Sequence, residues 1–367
     1  MVLIHFCTES CGFNVKQLVF ERAALKHNIA IIQERAGDAA IFAVLAGDGY
    51  GAGLIEMAQI LREEGISRFA VDEPEDVRRL REAGFQEEPI LMLRSTTDRD
   101  ELETLLKQRA ICTIGSYETG TALNGVAESL GVQAEAHVLI DTGMGFGGFL
   151  PGERQKLMSI YQYLSNVIIS GTYTHLCSAT DDTTRQMEVF QTVLDALHAA
   201  HLDPGLVHAA GSSALMSAAG VCLDAVRVGS AFLGSCRRQK RGSGLRQVCH
   251  GEATLDTVRW LPKGHTIGNE VLITLHHPTR VGILPVGYQH GFGIQRSRKS
   301  GLLAFARAWR AKRRRFVTIN GKKARVLGRI GALETAVDIT DLPCAEGDVA
   351  YFQMDPVFAR GIPRIYQ

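Results

Sequence analysis

Residues 41–53 read Ile-Phe-Ala-Val-Leu-Ala-Gly-Asp-Gly-Tyr-Gly-Ala-Gly, an apolar run that ends in a glycine-rich turn. The first five residues are all apolar, as in a β-strand that is buried on both faces. After the turn, apolar residues recur at the spacing of an amphipathic helix. These are Leu54, Ile55, Met57, Ala58 and Leu61. The stretch therefore predicts a strand followed by a helix, which is the repeating unit of a parallel α/β fold.

The same unit recurs through the first two thirds of the chain. Gly65 and Gly84 stand where two of the helices are expected to end, because glycine is the usual residue just after a helix C-terminus. Eight buried strands that alternate with helices favour a (β/α)₈ barrel over a doubly wound open sheet, which rarely sustains eight such units. The strand-like runs are Ile41–Leu45, Arg68–Val71, Pro89–Leu93, Ala110–Ile114, Ala136–Asp141, Val167–His175, Leu206–Ala210 and Ala225–Leu233.

The pattern changes after residue 236. Short strand-like runs then dominate, broken by turns such as Pro262-Lys263-Gly264 and Asn320-Gly321, of which the second is a typical hairpin signal. One helical segment, Leu302–Arg313, interrupts them. We therefore expect a barrel domain over residues 1–236 and a β-rich domain, a barrel or sandwich, over residues 237–367. The predicted strands are Thr254–Trp260, Glu270–Thr274, Val281–Val286, Phe316–Ile319, Arg325–Ile330, Thr335–Ile339 and Val349–Gln353.

The composition argues against several classes of partner. The chain has 367 residues, 46% of them hydrophobic, and a net charge of +1, which gives no general attraction to nucleic acid or membranes. Two basic runs, residues 237–241 and 310–315, lack the interleaved aromatic residues of a nucleic-acid platform. Eight cysteines without a Cys-x-x-Cys pair or a zinc-ligand set suit the reducing cytoplasm. There is no signal-peptide pattern and no run of 18 apolar residues, so we expect a cytoplasmic protein.

Four of the predicted strands end in polar residues that an apolar core would not choose. They are followed by, or contain, residues 46–50, 172–175, 211–214 and 226–230. The carboxyl ends of the strands of a (β/α)₈ barrel meet at one mouth, where functional groups collect. A lone arginine or histidine in an apolar strand is more often structural. Four such ends at one mouth predict a binding or catalytic site.

These segments together resemble the alanine racemase family, in order and over nearly the whole chain. In that family the first barrel strand ends in a Lys-x-Asn-x-Tyr-Gly-x-Gly pattern, whose Lys holds pyridoxal 5′-phosphate (PLP) as a Schiff base. Here Tyr50, Gly51 and Gly53 match the pattern, Asp48 replaces the Asn, and Ala46 stands at the Lys position. Further matches are residues 141–145, Thr174-His175, Arg227-x-Gly229, Val286-Gly287-Tyr288, residues 328–331, residues 337–340 and residues 362–366.

The resemblance implies a role for each matching residue in the first domain. Tyr50 and Ser212 would contact the cofactor phosphate, together with the backbone amides of Gly229 and Ser230. Exposed N–H groups between a strand and a helix suit an anion, and glycine allows its close approach. Separately, the ring would be held by two side chains: His175 would pack near the pyridine, and Arg227 would donate a hydrogen bond to its nitrogen. Because guanidinium stays protonated, that nitrogen would not take a proton, and the ring would be a weaker electron sink.

In the second domain, Tyr288 matches the family's catalytic tyrosine. The resemblance implies a head-to-tail homodimer in which this tyrosine reaches the barrel mouth of the neighbouring subunit. There it would exchange the α-proton on one face of a small neutral amino acid such as alanine or serine, and the Lys would serve the other face.

The sequence departs from the family on the substrate side. Besides Ala46, Phe146 stands where the family usually has an Arg, Ala332 and Leu333 replace a common Met-Asp pair at the substrate entrance, and His290 replaces an Asp. Three hypotheses follow: a PLP-dependent racemase, here in an inactive form or with another catalytic arrangement; a silent homologue that binds PLP as a scaffold or regulator; and a single-barrel PLP carrier. The second domain disfavours the last. Between the first two, Tyr288 and Arg227 favour the racemase, which is the function that we expect, whereas Ala46 argues against turnover.

Overall fold

The computed structural model describes residues 16–177, 180–217, 222–234, 243–268, 272–294 and 315–367. Its contacts divide the chain into two compact units. Among the described residues, one unit lies between Arg22 and Val248, and the other joins residues 16–21 to those after Val248. The predicted boundary at residues 236 and 237 and the predicted helix Leu302–Arg313 lie outside the described residues, so both stay predictions.

The first strand of the described residues, β1 (Lys16–Phe20), belongs to the second unit, and the next eight form the predicted barrel. The barrel strands are β2 (Ala40–Val44), β3 (Arg68–Val71), β4 (Ile90–Met92), β5 (Cys112–Ile114), β6 (Ala134–Leu139), β7 (Val167–Tyr173), β8 (Leu206–Gly211) and β9 (Ala225–Val228). All eight are parallel, in the order β4-β3-β2-β9-β8-β7-β6-β5, and a bridge between Leu91 and Ile111 links the two ends of the sheet.

Helices follow the strands as the periodicity predicts. Gly65 and Gly84 have φ angles of 85° and 93° just beyond two helix ends, which confirms them as C-terminal glycines. Ser116 begins another helix by accepting a hydrogen bond from the Thr119 amide. The helices of this unit are α1 (Arg22–Ala36), α2 (Ala46–Tyr50), α3 (Leu54–Glu63), α4 (Pro74–Glu82), α5 (Arg99–Lys107), α6 (Tyr117–Leu130), α7 (Arg154–Tyr163), α8 (Thr180–Ala199) and α9 (Ser212–Ser217).

The second unit is built on a nine-stranded sheet, in the order β11-β14-β17-β16-β15-β18-β10-β1-β19. Strand β1 pairs antiparallel with β10 and parallel with β19, so the N-terminal strand completes this sheet, which the sequence pattern does not predict. The strands are β10 (Cys249–Thr254), β11 (Thr257–Leu261), β14 (Thr279–Leu284), β15 (Phe316–Ile319), β16 (Lys322–Val326), β17 (Thr335–Asp338), β18 (Val349–Phe352) and β19 (Arg364–Tyr366), with β12 (Thr266–Ile267) and β13 (Ile273–Thr274) forming a separate pair.

Two details of this sheet test the turn predictions. Asn320 and Gly321 join β15 to β16 with φ angles of 49° and 76°, which confirms the hairpin. The single strand predicted over Thr254–Trp260 is wrong, since the chain there changes its pairing partner. The Leu255 amide donates to the Asp348 carbonyl and the Asp256 amide to the Ile283 carbonyl, which separates β10 from β11. In the described part of the chain, no helix is both long and apolar enough to cross a membrane.

Candidate functional site

Strands β2, β9, β8 and β7 are neighbours in the barrel, so their carboxyl ends lie side by side. The sequence-predicted residues of the first domain follow these four ends or lie within them: Ala46 and Tyr50 after β2, Arg227, Gly229 and Ser230 at β9, Ser212 after β8 and His175 after β7. The barrel therefore brings them to one mouth, as its topology predicts.

A single turn of left-handed backbone carries the chain from β2 to Tyr50. The φ angles of Gly47, Asp48, Gly49 and Tyr50 are 61°, 56°, 65° and 56°. Left-handed backbone costs a residue with a side chain about 1–2 kcal/mol, and it usually occurs at single positions. The turn is held by the Asp48 carboxylate, which accepts a hydrogen bond from the Leu54 amide at 3.0 Å. Ala46, half-buried, is the first residue of this segment.

Tyr50, Ser212 and Gly229 form a close cluster beside this turn. A Cβ atom at position 229 would lie 2.3 Å from Tyr50 Cε2 and 2.7 Å from its hydroxyl oxygen, so only glycine leaves room for the phenol ring. The Ser212 hydroxyl accepts hydrogen bonds from the Gly229 amide at 3.0 Å and the Ala231 amide at 3.4 Å. Two hydroxyl groups and two amides thus meet where strand β9 ends, which suits a phosphate.

Arg227 is buried in the barrel just below this cluster. It donates to the Thr174 carbonyl at 2.6 Å and to Nδ1 of His208 at 2.5 Å, and it lies 4.7 Å from the centre of the Tyr173 ring. No carboxylate of the described residues lies within ion-pair distance of it. Burial lowers the pKa of Arg227 to about 10, so the guanidinium still carries its charge at neutral pH.

His175 completes the polar wall of the mouth. Its Nδ1 lies 3.3 Å from Nη2 of Arg227, and its Cε1 would lie 3.3 Å from a Cβ at position 211. More than a third of the residue is open to solvent. Even so, the atoms crowded around the ring and the charge of Arg227 lower the pKa of its imidazole to about 4. The ring is therefore neutral and offers a flat surface at the mouth.

Two further histidines join this site, and the sequence reasoning missed them. His208 lies between Arg227 and His137, since its Nε2 is 2.8 Å from Nδ1 of His137. Its ring also stacks on Tyr173 with 4.8 Å between the ring centres. Burial and the charge of Arg227 lower the pKa of both imidazoles, that of His137 to about 3. The available signal was a histidine inside an otherwise apolar strand, in Leu206–Ala210 and in Ala136–Asp141.

Phe146 lies on the loop after β6. The Asp141 carboxylate holds this loop by accepting hydrogen bonds from the amides of Gly143, Met144 and Gly145 at 2.8–2.9 Å. The Phe146 side chain itself is 89% exposed. A phenyl ring offers no charge for a carboxylate, and the substrate-side role of this position stays a prediction.

Tyr288 and Ala332 come together in the β-rich unit. Tyr288 opens a short 3-10 turn whose amides at Tyr288 and Gln289 donate to the carbonyls of Gly331 and Ala332. A Cβ at Gly287 would lie 2.3 Å from both carbonyl oxygens, so this contact requires glycine. His290 Nδ1 accepts a hydrogen bond from the Gly287 amide at 3.1 Å. His290 is therefore a structural acceptor, a role that the Asp of the family pattern is also able to fill.

Comparison with known proteins places both units in one family. The model of the alanine racemase N-terminal domain matches residues 21–236, and that of the alanine racemase C-terminal domain matches residues 248–356. An alanine racemase of Halothermothrix orenii is 30% identical over 88% of this chain and 82% of its own length. Another, from Methylacidiphilum infernorum, is 30% identical over 89% of this chain and 80% of its own length.

Solved structures show the same fold. The alanine racemase of Clostridium difficile 630 has a TM-score of 0.85 and 24% identity, covering 96% of each chain. The alanine racemase of Bartonella henselae with covalently bound pyridoxal phosphate has a TM-score of 0.83 and 20% identity, covering 96% of this chain and 99% of the other.

Proposed function

Because the chain belongs to the alanine racemase family, which is PLP-dependent and acts on amino acids, we propose that its barrel mouth binds PLP without a covalent bond. We further propose that, with alanine at position 46, it does not racemise amino acids at a useful rate. The first proposal rests on the groups that remain at the mouth, and the second on those that are missing.

The cluster of Tyr50, Ser212 and Gly229 offers the polar groups that a phosphate requires. The two hydroxyl groups and the Ser230 amide would donate to its oxygens, and the Gly229 amide would turn from the Ser212 hydroxyl to the phosphate. The cradle depends on the absence of a side chain, since any Cβ at position 229 would displace the Tyr50 ring. These residues are proposed to supply most of the affinity, which we expect to be about micromolar or weaker.

Arg227 and His175 fit the ring of the cofactor. Arg227 is fixed by Thr174 and His208, so its guanidinium would donate to the pyridine nitrogen without rearrangement. Neutral His175 would pack beside the ring. When bound, PLP supplies an electron sink for the α-carbon of an amino acid. The charge of Arg227 would keep the nitrogen unprotonated and thereby moderate that sink.

Position 46 is the observation that carries the second proposal. Racemisation needs a proton removed from one face of the α-carbon and returned on the other. Tyr288, 41% exposed on its turn, would serve one face if a partner subunit presents it to the mouth. A methyl group at Ala46 neither accepts a proton nor attaches the cofactor. An inactive form of a PLP-dependent racemase of alanine or serine is therefore our first candidate, and a silent homologue that binds PLP as a scaffold or regulator is the second.

Incubation of L-alanine with the purified protein and excess PLP, followed by circular dichroism, tests the activity proposal. We expect the ellipticity to stay constant, and the same result with L-serine. Rapid loss of ellipticity would show that another residue supplies the second base.

We also propose a head-to-tail homodimer, because the resemblance to the family implies that Tyr288 of one chain reaches the barrel mouth of its neighbour. Sedimentation velocity at micromolar concentration should give twice the 40.0 kDa mass of the chain, and a monomer would contradict it. A cytoplasmic location is proposed from the relatives and from the eight cysteines of the sequence, which form no Cys-x-x-Cys pair and suit a reducing compartment.

A further inference from the structure

A second cavity lies at the other end of the barrel, where the strands begin. Arg68 opens β3, Leu206 opens β8, and Glu135 is the second residue of β6, and all three line it. Its volume of about 370 Å³ lies within the range of small-molecule sites, roughly 300–1,000 Å³. We call this space the floor cavity. None of the residues assigned to the cofactor lines it.

A chain of hydrogen bonds runs from Arg227 to the floor cavity, and it determines which ring nitrogen of each histidine along it carries a hydrogen. A guanidinium only donates, so Nδ1 of His208 accepts and its Nε2 carries the hydrogen. That hydrogen is donated to Nδ1 of His137, whose own hydrogen must then lie on Nε2. His137 lines the floor cavity, and its Nε2 has no hydrogen-bond partner among the described residues. This imidazole therefore offers the cavity a donor.

Ser170 offers a second donor. It is the extra residue of a β-bulge in β7, since Ala136 pairs with Ile169 and His137 pairs with Gly171. Bulges commonly re-aim a side chain beside a functional site. Ser170 lines the floor cavity, and within the described chain its hydroxyl oxygen is buried without a hydrogen-bond partner. A buried hydroxyl in that state costs about 1–3 kcal/mol, which a ligand would recover.

Among the charged residues that line the floor cavity, one cation and one anion form no ion pair with another described residue. Glu87 pairs with Arg109 at 3.3 Å, and Glu88 with Arg62 at 3.2 Å. Arg81 donates to backbone carbonyls, including those of Gln108 and Glu88. Arg68 and Glu135 have no ion pair among the described residues. Half-buried Arg68 lies over the Phe42 ring, 5.8 Å from its centre, whereas Glu135 is exposed.

We propose that the floor cavity binds a free amino acid. Its carboxylate would be held by Arg68, the Nε2–H of His137 and the Ser170 hydroxyl, and its ammonium group would face Glu135. Three donors suit an anion, and the lone carboxylate at the exposed side suits a cation. The site is separate from the cofactor mouth, and the proposal does not depend on PLP binding or on activity.

Isothermal titration calorimetry of the full-length, PLP-free protein tests this with four probes: L-alanine, propionate, ethylamine and inorganic phosphate. Propionate should bind, L-alanine should bind more tightly, and ethylamine should give no binding heat. Arg68→Gln should lower the affinity for L-alanine and for propionate more than about tenfold, and Ser170→Ala should lower both affinities about three- to tenfold. Glu135→Gln should lower the affinity for L-alanine to that for propionate, and it should leave the affinity for propionate unchanged.

Thr254→Val is the matched control for Ser170→Ala. Thr254 carries the other buried hydroxyl without a partner in the described chain, and it lies in β10 of the β-rich unit. Both substitutions should leave the melting temperature unchanged or raise it, but only Ser170→Ala should weaken binding. Absence of binding by either carboxylate, or binding that Arg68→Gln and Ser170→Ala leave unchanged, would overturn the proposal. If inorganic phosphate bound more tightly than the carboxylates and was weakened by the same two substitutions, the cavity would be a phosphate site, and the proposal would also be overturned.

Discussion

Two sets of residues at the barrel mouth differ in the chemical groups they offer. In the first set, Tyr50, Ser212 and Gly229 lie close together, and Arg227 is held by Thr174 and His208. In the second set, position 46 is a half-buried alanine, and the loop after β6 presents an exposed phenyl group at Phe146. The first set has the donors that the proposed cofactor would need, whereas the second set has no group that would move a proton.

Under our proposals, binding and catalysis rest on separable residues of this fold. The proposed binding residues belong to the barrel itself, since Arg227 lies in β9 and Gly229 directly follows that strand. Position 46 follows the end of β2, and alanine there is compatible with the fold.

Restoring the base should produce the largest change. In Ala46→Lys, a lysine at the end of β2 would attach PLP covalently and serve as the second base, a role commonly worth about 10²–10⁴-fold in rate. Mass spectrometry after borohydride treatment should then show one PLP per chain, and circular dichroism should report racemisation of L-alanine.

The double variant separates two causes of inactivity. If position 46 alone is at fault, Ala46→Lys turns over alanine. If the substrate side has also lost its function, Ala46→Lys attaches PLP with little turnover, and Phe146→Arg raises the rate in that background. A lysine variant without covalent PLP would contradict our alignment of the mouth.

Narrowing the phosphate cradle should have the next largest effect. A methyl group in Gly229→Ala would overlap the Tyr50 ring, so we expect PLP affinity to fall about tenfold or more. The clash should also lower the free energy of unfolding by about 1–3 kcal/mol.

Gly125→Ala is the matched control. Gly125 lies within α6 with no atom near its Cβ position, so alanine there should stabilise the helix by about 0.5–1 kcal/mol and leave PLP binding unchanged. Fluorescence titration with PLP and denaturant unfolding measure both quantities. Equal PLP affinity in the two variants would place the phosphate elsewhere.

The buried histidines should make the free energy of unfolding depend on pH. The pKa of His137 is about 3 in the folded protein, below the ordinary value near 6.5, so the unfolded chain takes up the proton first. Its contribution is complete above about pH 6.5 and is lost as the pH falls toward 3. His137→Gln should reduce the slope of unfolding free energy against pH by up to one proton, about 1.4 kcal/mol per pH unit. Identical slopes between pH 6.5 and 4 would show that His137 is protonated in the folded state.

The sequence predicts the barrel well because parallel strands and amphipathic helices leave a local pattern. It also places Tyr50, Ser212 and Arg227 at one mouth, since strand ends follow from topology. It does not predict β1, a five-residue strand whose partners lie more than 200 residues away. Nor does it predict the hydrogen bonds that join Arg227 to His208 and His208 to His137. They depend on which residues of different strands face each other inside the barrel.

The most direct test of the central claim is PLP binding to the unmodified protein, measured by equilibrium dialysis before and after borohydride reduction. Our account predicts reversible binding of about one PLP per chain, all of it removable by dialysis after reduction, with no lysine-linked PLP by mass spectrometry. Absence of binding would contradict the intact phosphate and ring site, and a stable reduced adduct on any lysine would contradict the loss of the covalent anchor.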